Sequence, residues 1–473
     1  MMKNKQNLLA ILFWFVLAAI LVVLGYFMIH NAAWLFGDEA IVYSTTGMGK
    51  SFSPFGFDCM IECFGRFYPF AYNLYNVLLI FNSGPISAEA HYALHVVALS
   101  IFAICFAITA INLLKNYSSW MKYSIVLYFT TIAIFRVLPE FITCYTGIWI
   151  VFLLLSIFIL CLCKFEQTEQ WKWGVFAILS VTYICYCYEN ICIIPIMYGA
   201  CQLLFSYKAL SNRKKLFNGL LLASGLLFLL LYVVIVLPRA TNFYGHHHET
   251  TTIMNAFKML LAHKIYWIAL ICLLVRLWDI LKNKKAYIFA DSLLLTSFAY
   301  FCGTAFLKLN FVYYYNVGAL IALVAILCYC EIYLKPHWGL LFMLSLSVLF
   351  GRKIPSLIEK NQENRINSSV QIAKLTEYVR NGYSLYWYAP EYEDASIIDN
   401  DLRNWSYNSL LRYLEWYTQD SMRIINETTF DLSKVGIWLN SSINSNQYPN
   451  SDSIFINYKD VYQAANVSGY LIQ

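Results

Sequence analysis

The sequence predicts a mainly α, polytopic transmembrane helical bundle carrying a small C-terminal α/β domain outside the membrane. Three observations predict it. Of 473 residues, 60% are hydrophobic and 13% charged, whereas soluble domains are roughly half apolar and a quarter charged. The apolar residues gather in runs that match the roughly 20 residues a spanning helix needs. From about Pro355 onward, charged and Asn/Ser-rich sequence replaces those runs. The chain therefore divides into a membrane module, 1–353, and a tail domain, 354–473.

The first apolar run, 7–30, is too long for a signal-peptide core and lacks a small-residue cleavage site, so it reads as a retained helix. Further spans are expected at 89–114, 121–138, 141–163, 172–189, 191–207, 216–237, 260–281, 286–306, 309–334 and 338–351, about eleven in all. Basic clusters fall at every second loop: Lys3/Lys5, Lys115/Lys122, Lys164/Lys172, Lys208/Arg213/Lys214/Lys215, Lys282/Lys284/Lys285 and Lys335. This is the positive-inside pattern. It puts the N-terminus in the cytoplasm and, with an odd number of spans, the tail outside. The expected location is a bacterial inner (plasma) membrane. The net charge of +6 belongs to these short clusters, so membrane lipids are expected neighbours and nucleic acid is not.

Most of the 14 cysteines, such as Cys161, Cys163, Cys185 and Cys187, sit inside apolar runs and behave there as small hydrophobes. Cys59 and Cys63 are expected outside the membrane. Their spacing suits a disulfide poorly, and no nearby His completes a zinc site.

The first outer loop, 31–88, is the longest between spans. Its segment 67–81 (FYPFAYNLYNVLLIF) is aromatic and shorter than a span, which predicts an interfacial helix along the membrane surface. A short helix is expected at 59–64. In the tail, 354–380 and 402–417 read as helices, and 384–388, 435–439 and 453–458 as strands. There is no GxGxxG, Walker A or HExxH motif.

Asp38 and Glu39, in Trp34-Leu35-Phe36-Gly37-Asp38-Glu39-Ala40, follow the first span directly. Outside the cytoplasm neither ATP nor soluble nucleotide sugar is at hand, so an activated sugar arrives on a lipid phosphate. Transferring it requires a carboxylate to take the acceptor's proton and cations to stabilise the departing phosphate. Asp38 suits the first role, with Glu39 orienting the acceptor, binding a metal or facing away. The bland reading is a loop carboxylate paired with a nearby cation. For the phosphate, the candidates are Arg66 before the aromatic segment, Arg239 at the outer end of span seven, and Lys308 in a short outer turn. The competing readings are a lipid-headgroup anchor for Arg66 and snorkelling for Lys308.

Glu189, at the outer hairpin between spans five and six, is a further candidate. Its bland alternative is a solvated hairpin tip. Tyr313, Tyr314 and Tyr315 open span ten and read as an aromatic belt, with the Tyr314 hydroxyl as a possible phosphate contact. His91 and His95 lie one turn apart in span two, where interhelical hydrogen bonds compete with a role in an outer cavity. Arg136 and Glu140 flank Pro139 in what reads as a short outer turn, pairing with each other or with water. His246, His247 and His248 read as a polar loop rather than a metal site, since adjacent histidines cannot all face one ion. No pattern demands a cofactor. A divalent cation, Mg or Mn, at the acidic pair is the one candidate.

Taken together, the acidic pair after span one, the long first outer loop, the eleven or so spans and the outer tail resemble membrane-integral glycosyltransferases of the GT-C superfamily. The resemblance implies a GT-C-like bundle and transfer, with inversion, of a sugar from a polyprenyl-phosphate donor to a cell-surface glycan or lipid acceptor. It also implies a catalytic or metal-binding role for Asp38, with Glu39 beside it. The extended first loop and Gly65-Arg66 resemble bacterial members that decorate surface polysaccharide or lipid. No WWD-like signature of oligosaccharyltransferases is present. The alternatives are a flippase or transporter of lipid-linked sugars, which needs charged residues at the midplane and paired halves, a polysaccharide polymerase, or a membrane-anchored binding protein.

Overall fold

A computed structural model describes residues 2–30, 65–81, 87–143, 147–241, 252–309 and 312–356, four tail strands, and a few isolated positions. Helices α1 (Met2–His30), α2 (Val77–Phe81), α3 (Ala88–Leu113), α4 (Ser119–Thr143), α5 (Ile148–Thr168) and α6 (Trp171–Cys185) are followed by α7 (Ile193–Phe205), α8 (Asn212–Leu231), α9 (Thr252–Ala262) and α10 (Lys264–Leu281). Helices α11 (Phe289–Phe306), α12 (Val312–Tyr333) and α13 (Pro336–Gly351) complete the bundle.

Among the described residues, eight helices are long and apolar enough to cross a membrane. A ninth span forms if α9 and α10, bent by 97° at His263, count as one, and two shorter apolar helices are Trp171–Cys185 and Glu189–Phe205. Together these occupy the eleven predicted places, so the chain is a multi-pass membrane protein.

Hydropathy does not say which helix is central. Two spans of equal hydropathy, 2.7, differ sharply: 22% of the window in the α8 span is buried but 72% in α5, and the less apolar α12 reaches 83%. Helix α12 is flanked by α4, α10 and α11. Between apolar helices in lipid, close approach through small residues replaces the hydrophobic driving force. At Gly199 of α7 an added Cβ would stand 2.6 Å from Asn218 O of α8, and at Gly225 it would stand 2.9 Å from Cys192 O.

Three expectations are corrected. Helix α4 does not end before Pro139 but runs through it to Thr143, so 136–140 is not an outer turn. An interior proline costs roughly 3 kcal/mol, which the packing of α4 against α3, α12 and α13 outweighs. Arg136 and Glu140 are not paired with each other. Arg136 donates from Nη2 to His263 Nδ1 at 2.8 Å and also to Asn316 Oδ1, while Asn316 Nδ2 donates to Arg136 O at 2.9 Å. Glu140 is buried.

Second, 67–81 is not one surface helix. It is a turn, a 3-10 turn Asn73–Asn76 and the short α2. Pro69 breaks its first half, and Tyr75 is drawn into the bundle, fully buried. Third, Tyr313, Tyr314 and Tyr315 are all buried and form no lipid-facing belt, because α12 is central.

One contact between the first loop and the bundle depends on glycine. Gly147 has φ +66°, and a Cβ there would lie 2.5 Å from Ala71 O. Gly147→Val is therefore expected to combine left-handed backbone strain with a clash, destabilising the fold by about 2 kcal/mol or more. Thermal unfolding in lipid nanodiscs measures this, and an unchanged midpoint would mean that 65–81 does not dock here.

In the tail, β1 (Leu385–Tyr388), β2 (Ile424–Glu427), β3 (Ile437–Asn440) and β4 (Ile454–Asn457) form one parallel sheet ordered β2-β1-β3-β4. Three of these strands are expected from sequence. The fourth, β2, is an addition, carried by the short run Ile424-Ile425. The tail helices expected at 354–380 and 402–417 lie for the most part outside the described residues.

Candidate active site

The segment after Gly65 lies against the ends of several helices. Gly65 takes φ 61°, which turns the chain so that its carbonyl accepts from Tyr232 Oη at 2.7 Å. Tyr232 lies just past α8, in a π-helical turn Tyr232–Val236. Phe67 stacks on Phe228, and Phe70 on Tyr183, with ring centroids 6.0 and 5.1 Å apart. Phe70 N donates to Tyr186 O at 3.1 Å.

Arg66 sits at the centre of this contact. Its Nε donates to both carboxylate oxygens of Glu189, at 2.9 and 3.2 Å, and the backbone N–H of Phe67 donates to Glu189 Oε1. Both side chains are mostly buried, at 15% and 16% exposure. The guanidinium carbon lies 4.9 Å from the Tyr68 ring centroid and 5.9 Å from that of Tyr188. Tyr188 in turn meets Tyr314 edge-on, with centroids 5.7 Å apart. Burial works most strongly against the charge of Arg66, but the Glu189 carboxylate, Tyr314 and Tyr68 together offset it and hold the guanidinium pKa well above its usual range. Arg66 stays a cation at any physiological pH.

Glu189 is in turn held by its neighbours. The chain leaves α6 through a turn into the 3-10 segment Glu189–Cys192. Asn190 there donates to Tyr300 Oη at 2.8 Å and Thr304 Oγ1 at 3.3 Å on α11. The solvated-tip reading of Glu189 is thereby corrected, because an arginine distant in sequence covers it.

A second cluster docks the same loop one turn further on. Trp149 Nε1 donates to Tyr75 Oη at 2.6 Å, Tyr75 Oη lies 3.2 Å from His95 Nε2, and His95 Nδ1 lies 3.2 Å from Phe141 O. A carbonyl only accepts, so Nδ1 carries the proton and Tyr75 donates to the bare Nε2. His91 stacks on Tyr75 with centroids 5.2 Å apart. His91 and His95 thus pack against loop and helix groups in a buried cluster.

The structure brings Arg66, Glu189 and Tyr314 together. Arg239 is exposed beyond Tyr232, and Lys308 sits half-buried in a turn at φ 54°. Asp38, Glu39, Cys59, Cys63 and His246 to His248 lie outside the described residues. Among the described residues, no group of three His, Cys, Asp or Glu is placed to hold a metal ion. Sequence reasoning missed Tyr68, Tyr188 and Tyr232. Tyr68 and Tyr188 adjoin the charged candidates Arg66 and Glu189 and were legible as neighbours. Tyr232, within an apolar span, carried no signal.

Chemically, the site presents a permanent cation, held between aromatic rings and a carboxylate at the predicted outer end of the bundle. A guanidinium is the side chain suited to carboxylate or phosphate oxygens.

No family model matches the sequence, and no curated protein matches it. Among solved structures, the chain is similar to the crystal structure of ArnT from Cupriavidus metallidurans bound to undecaprenyl phosphate. The TM-score is 0.42 at 10% identity, over 97% of this chain and 88% of that one. A likeness of that size shows neither family nor function.

Proposed function

We propose that the chain is a glycosyltransferase. It moves a sugar from a polyprenyl-phosphate donor to a glycan or lipid acceptor on the extracytoplasmic face, with inversion at the anomeric carbon. The observation that carries this reading is the Arg66–Glu189 pair, built by the first outer loop onto the end of the helical bundle.

The chemistry follows from charge. The acceptor hydroxyl attacks the anomeric carbon from the face opposite the phosphate. Asp38 takes the hydroxyl proton as the new C–O bond forms. The bond from the anomeric carbon to the phosphate oxygen breaks, and the polyprenyl phosphate leaves with the electron pair. Arg66 stabilises the charge that grows on that phosphate, and Glu189 holds the guanidinium in place. Glu39 orients the acceptor. The acidic pair is also where a divalent cation, Mg or Mn, would bind, and no step above depends on one.

The test is mass profiling of surface glycans and lipid-linked intermediates. It compares cells lacking the protein, cells given it back and cells given Asp38→Asn at equal expression. One sugar is expected to be missing in both the null and the Asp38→Asn strain. Full rescue by Asp38→Asn removes Asp38 from the mechanism. Complete lipid-linked glycan trapped on the inner leaflet replaces transfer with flipping.

A further inference from the structure

Of the arginines that reach into the bundle, Arg66 faces Glu189 and Arg276 faces Asp291. Arg136, on α4, is different. Its side chain donates to His263 and Asn316, and among the described residues no carboxylate lies within ion-pair distance of it. Glu140, one turn further along α4, is buried as well, and its Oε1 meets no hydrogen-bond partner, so it does not neutralise the arginine. An arginine stays protonated in a protein, and a buried charge is costly unless it is paired. Inside a membrane such a group marks a functional site by default.

Two donors beside this charge are also unused. Arginine only donates, so His263 Nδ1 accepts from Arg136, and the neutral ring carries its proton on Nε2. That Nε2–H and the Nε–H of Arg136 are both buried without an acceptor. His263 is 1% exposed and stands at the start of α10, where its side chain caps no backbone group. The Tyr315 ring lies 5.4 Å from the imidazole, and the Phe350 ring lies 5.5 Å from the guanidinium carbon. A ligand that satisfies this arrangement offers acceptors and one negative charge. A carboxylate and a phosphodiester both qualify. A phosphate monoester, close to a dianion at neutral pH, brings a charge too many.

The surroundings choose between the two. His263 joins α9 to α10 at a 97° bend. Along α9, Ile253, Phe257 and Leu261 are exposed, each one turn after the last, with Met254 beside them, while Met259 is buried. Helix α9 thus turns one apolar face into the bundle and a second outward. An apolar stripe on a helix bent away from a membrane span lies against lipid acyl chains. Lys258 and Lys264, both exposed, suit the headgroup level. The singly charged group that membranes hold at that level is the phosphodiester.

We infer that Arg136 and His263 bind the phosphodiester of a membrane phospholipid whose acyl chains lie along α9. This goes beyond the proposed transfer reaction and does not require it.

Native mass spectrometry of the full chain released from nanodiscs reads which lipid stays bound. Phosphatidylglycerol is compared with diacylglycerol of the same chains, and inorganic phosphate and polyprenyl phosphate are added as competitors. Phosphatidylglycerol is expected to be retained and diacylglycerol lost, with neither competitor displacing the phospholipid at equal concentration. His263→Asn keeps an acceptor for Arg136 but removes the Nε2–H, and is expected to weaken retention about tenfold. Arg136→Gln is expected to weaken it at least about thirtyfold. Lys285→Gln removes the same charge beyond the other end of α10 and is expected to retain the lipid as the unaltered chain does. The thermal midpoint checks folding, and His263→Asn carries the test if Arg136→Gln fails that check. The proposal is overturned if diacylglycerol is retained equally, if either competitor displaces the phospholipid, or if the folded variants of Arg136 and His263 retain it unchanged. Displacement by polyprenyl phosphate would assign the site to a sugar donor instead. Retention is read without donor or acceptor, so a failed glycan test leaves this site standing.

Discussion

Glu189→Gln is expected to abolish most sugar transfer and to destabilise the chain by about 3 kcal/mol. Removing one partner of a buried pair leaves the other charge uncompensated, which costs roughly 3–5 kcal/mol. The residual exposure of 15% and 16% places this pair at the lower end. Stability alone does not separate a structural role from a chemical one. The double variant Arg66→Met with Glu189→Leu does, because replacing a buried ion pair by apolar groups is often neutral for stability. It is expected to restore the thermal midpoint and to leave transfer lost, since no cation then faces the phosphate. Thermal unfolding and a transfer assay on the unaltered chain, the Arg66→Met and Glu189→Leu single variants and the double variant complete the cycle. Recovery of both properties in the double variant would make Arg66 a structural group and remove it from the mechanism.

Asp291→Ala is expected to have the larger effect on folding and little on chemistry. Asp291 Oδ1 accepts from Arg276 Nε at 2.7 Å and from Tyr329 Oη at 2.8 Å. Its Oδ2 accepts from Arg276 Nη2 at 3.1 Å and from Ile288 N at 2.8 Å. Arg276 also reaches Tyr333 Oη at 3.2 Å and the carbonyl of Ala286. With side chains only 6% and 4% exposed, this pair closes the connection between α10 and α11 and fastens both to α12. Truncation strands the arginine at about 3–5 kcal/mol, so little folded protein should accumulate in the membrane. Activity per folded molecule should stay unchanged, because the network lies at the opposite end of α11 from Tyr300 and Thr304. Normal accumulation of Asp291→Ala would show that water replaces the carboxylate and that the pair contributes little.

Much of the architecture is readable along the chain. The eleven helical places follow from runs of apolar residues, because a segment that must satisfy its backbone within a bilayer has little choice but a helix. The composition break near Pro355 marks the tail, and three of its four strands follow from β-branched and aromatic runs. Arg66, Glu189 and Tyr314 each stand out singly, as charged or aromatic residues at predicted outer ends. Asp38 and Glu39 stand out in the same way.

Partnership is a different matter. Arg66 and Glu189 are 123 residues apart, and nothing in either local sequence names the other. The same holds for Arg136 with His263 and for Trp149 with Tyr75. Helices that are apolar on every side carry little information about which face turns inward, so the sequence by itself sets where the chain crosses the membrane but not which helix is central. Only the tertiary structure buries Tyr313 to Tyr315, carries α4 through Pro139 and seats Glu189 under an arginine. The physical reason is that hydropathy is summed along one segment, whereas these outcomes depend on shape and polar satisfaction between segments, through small-residue contacts and hydrogen bonds that exist only once the helices have packed.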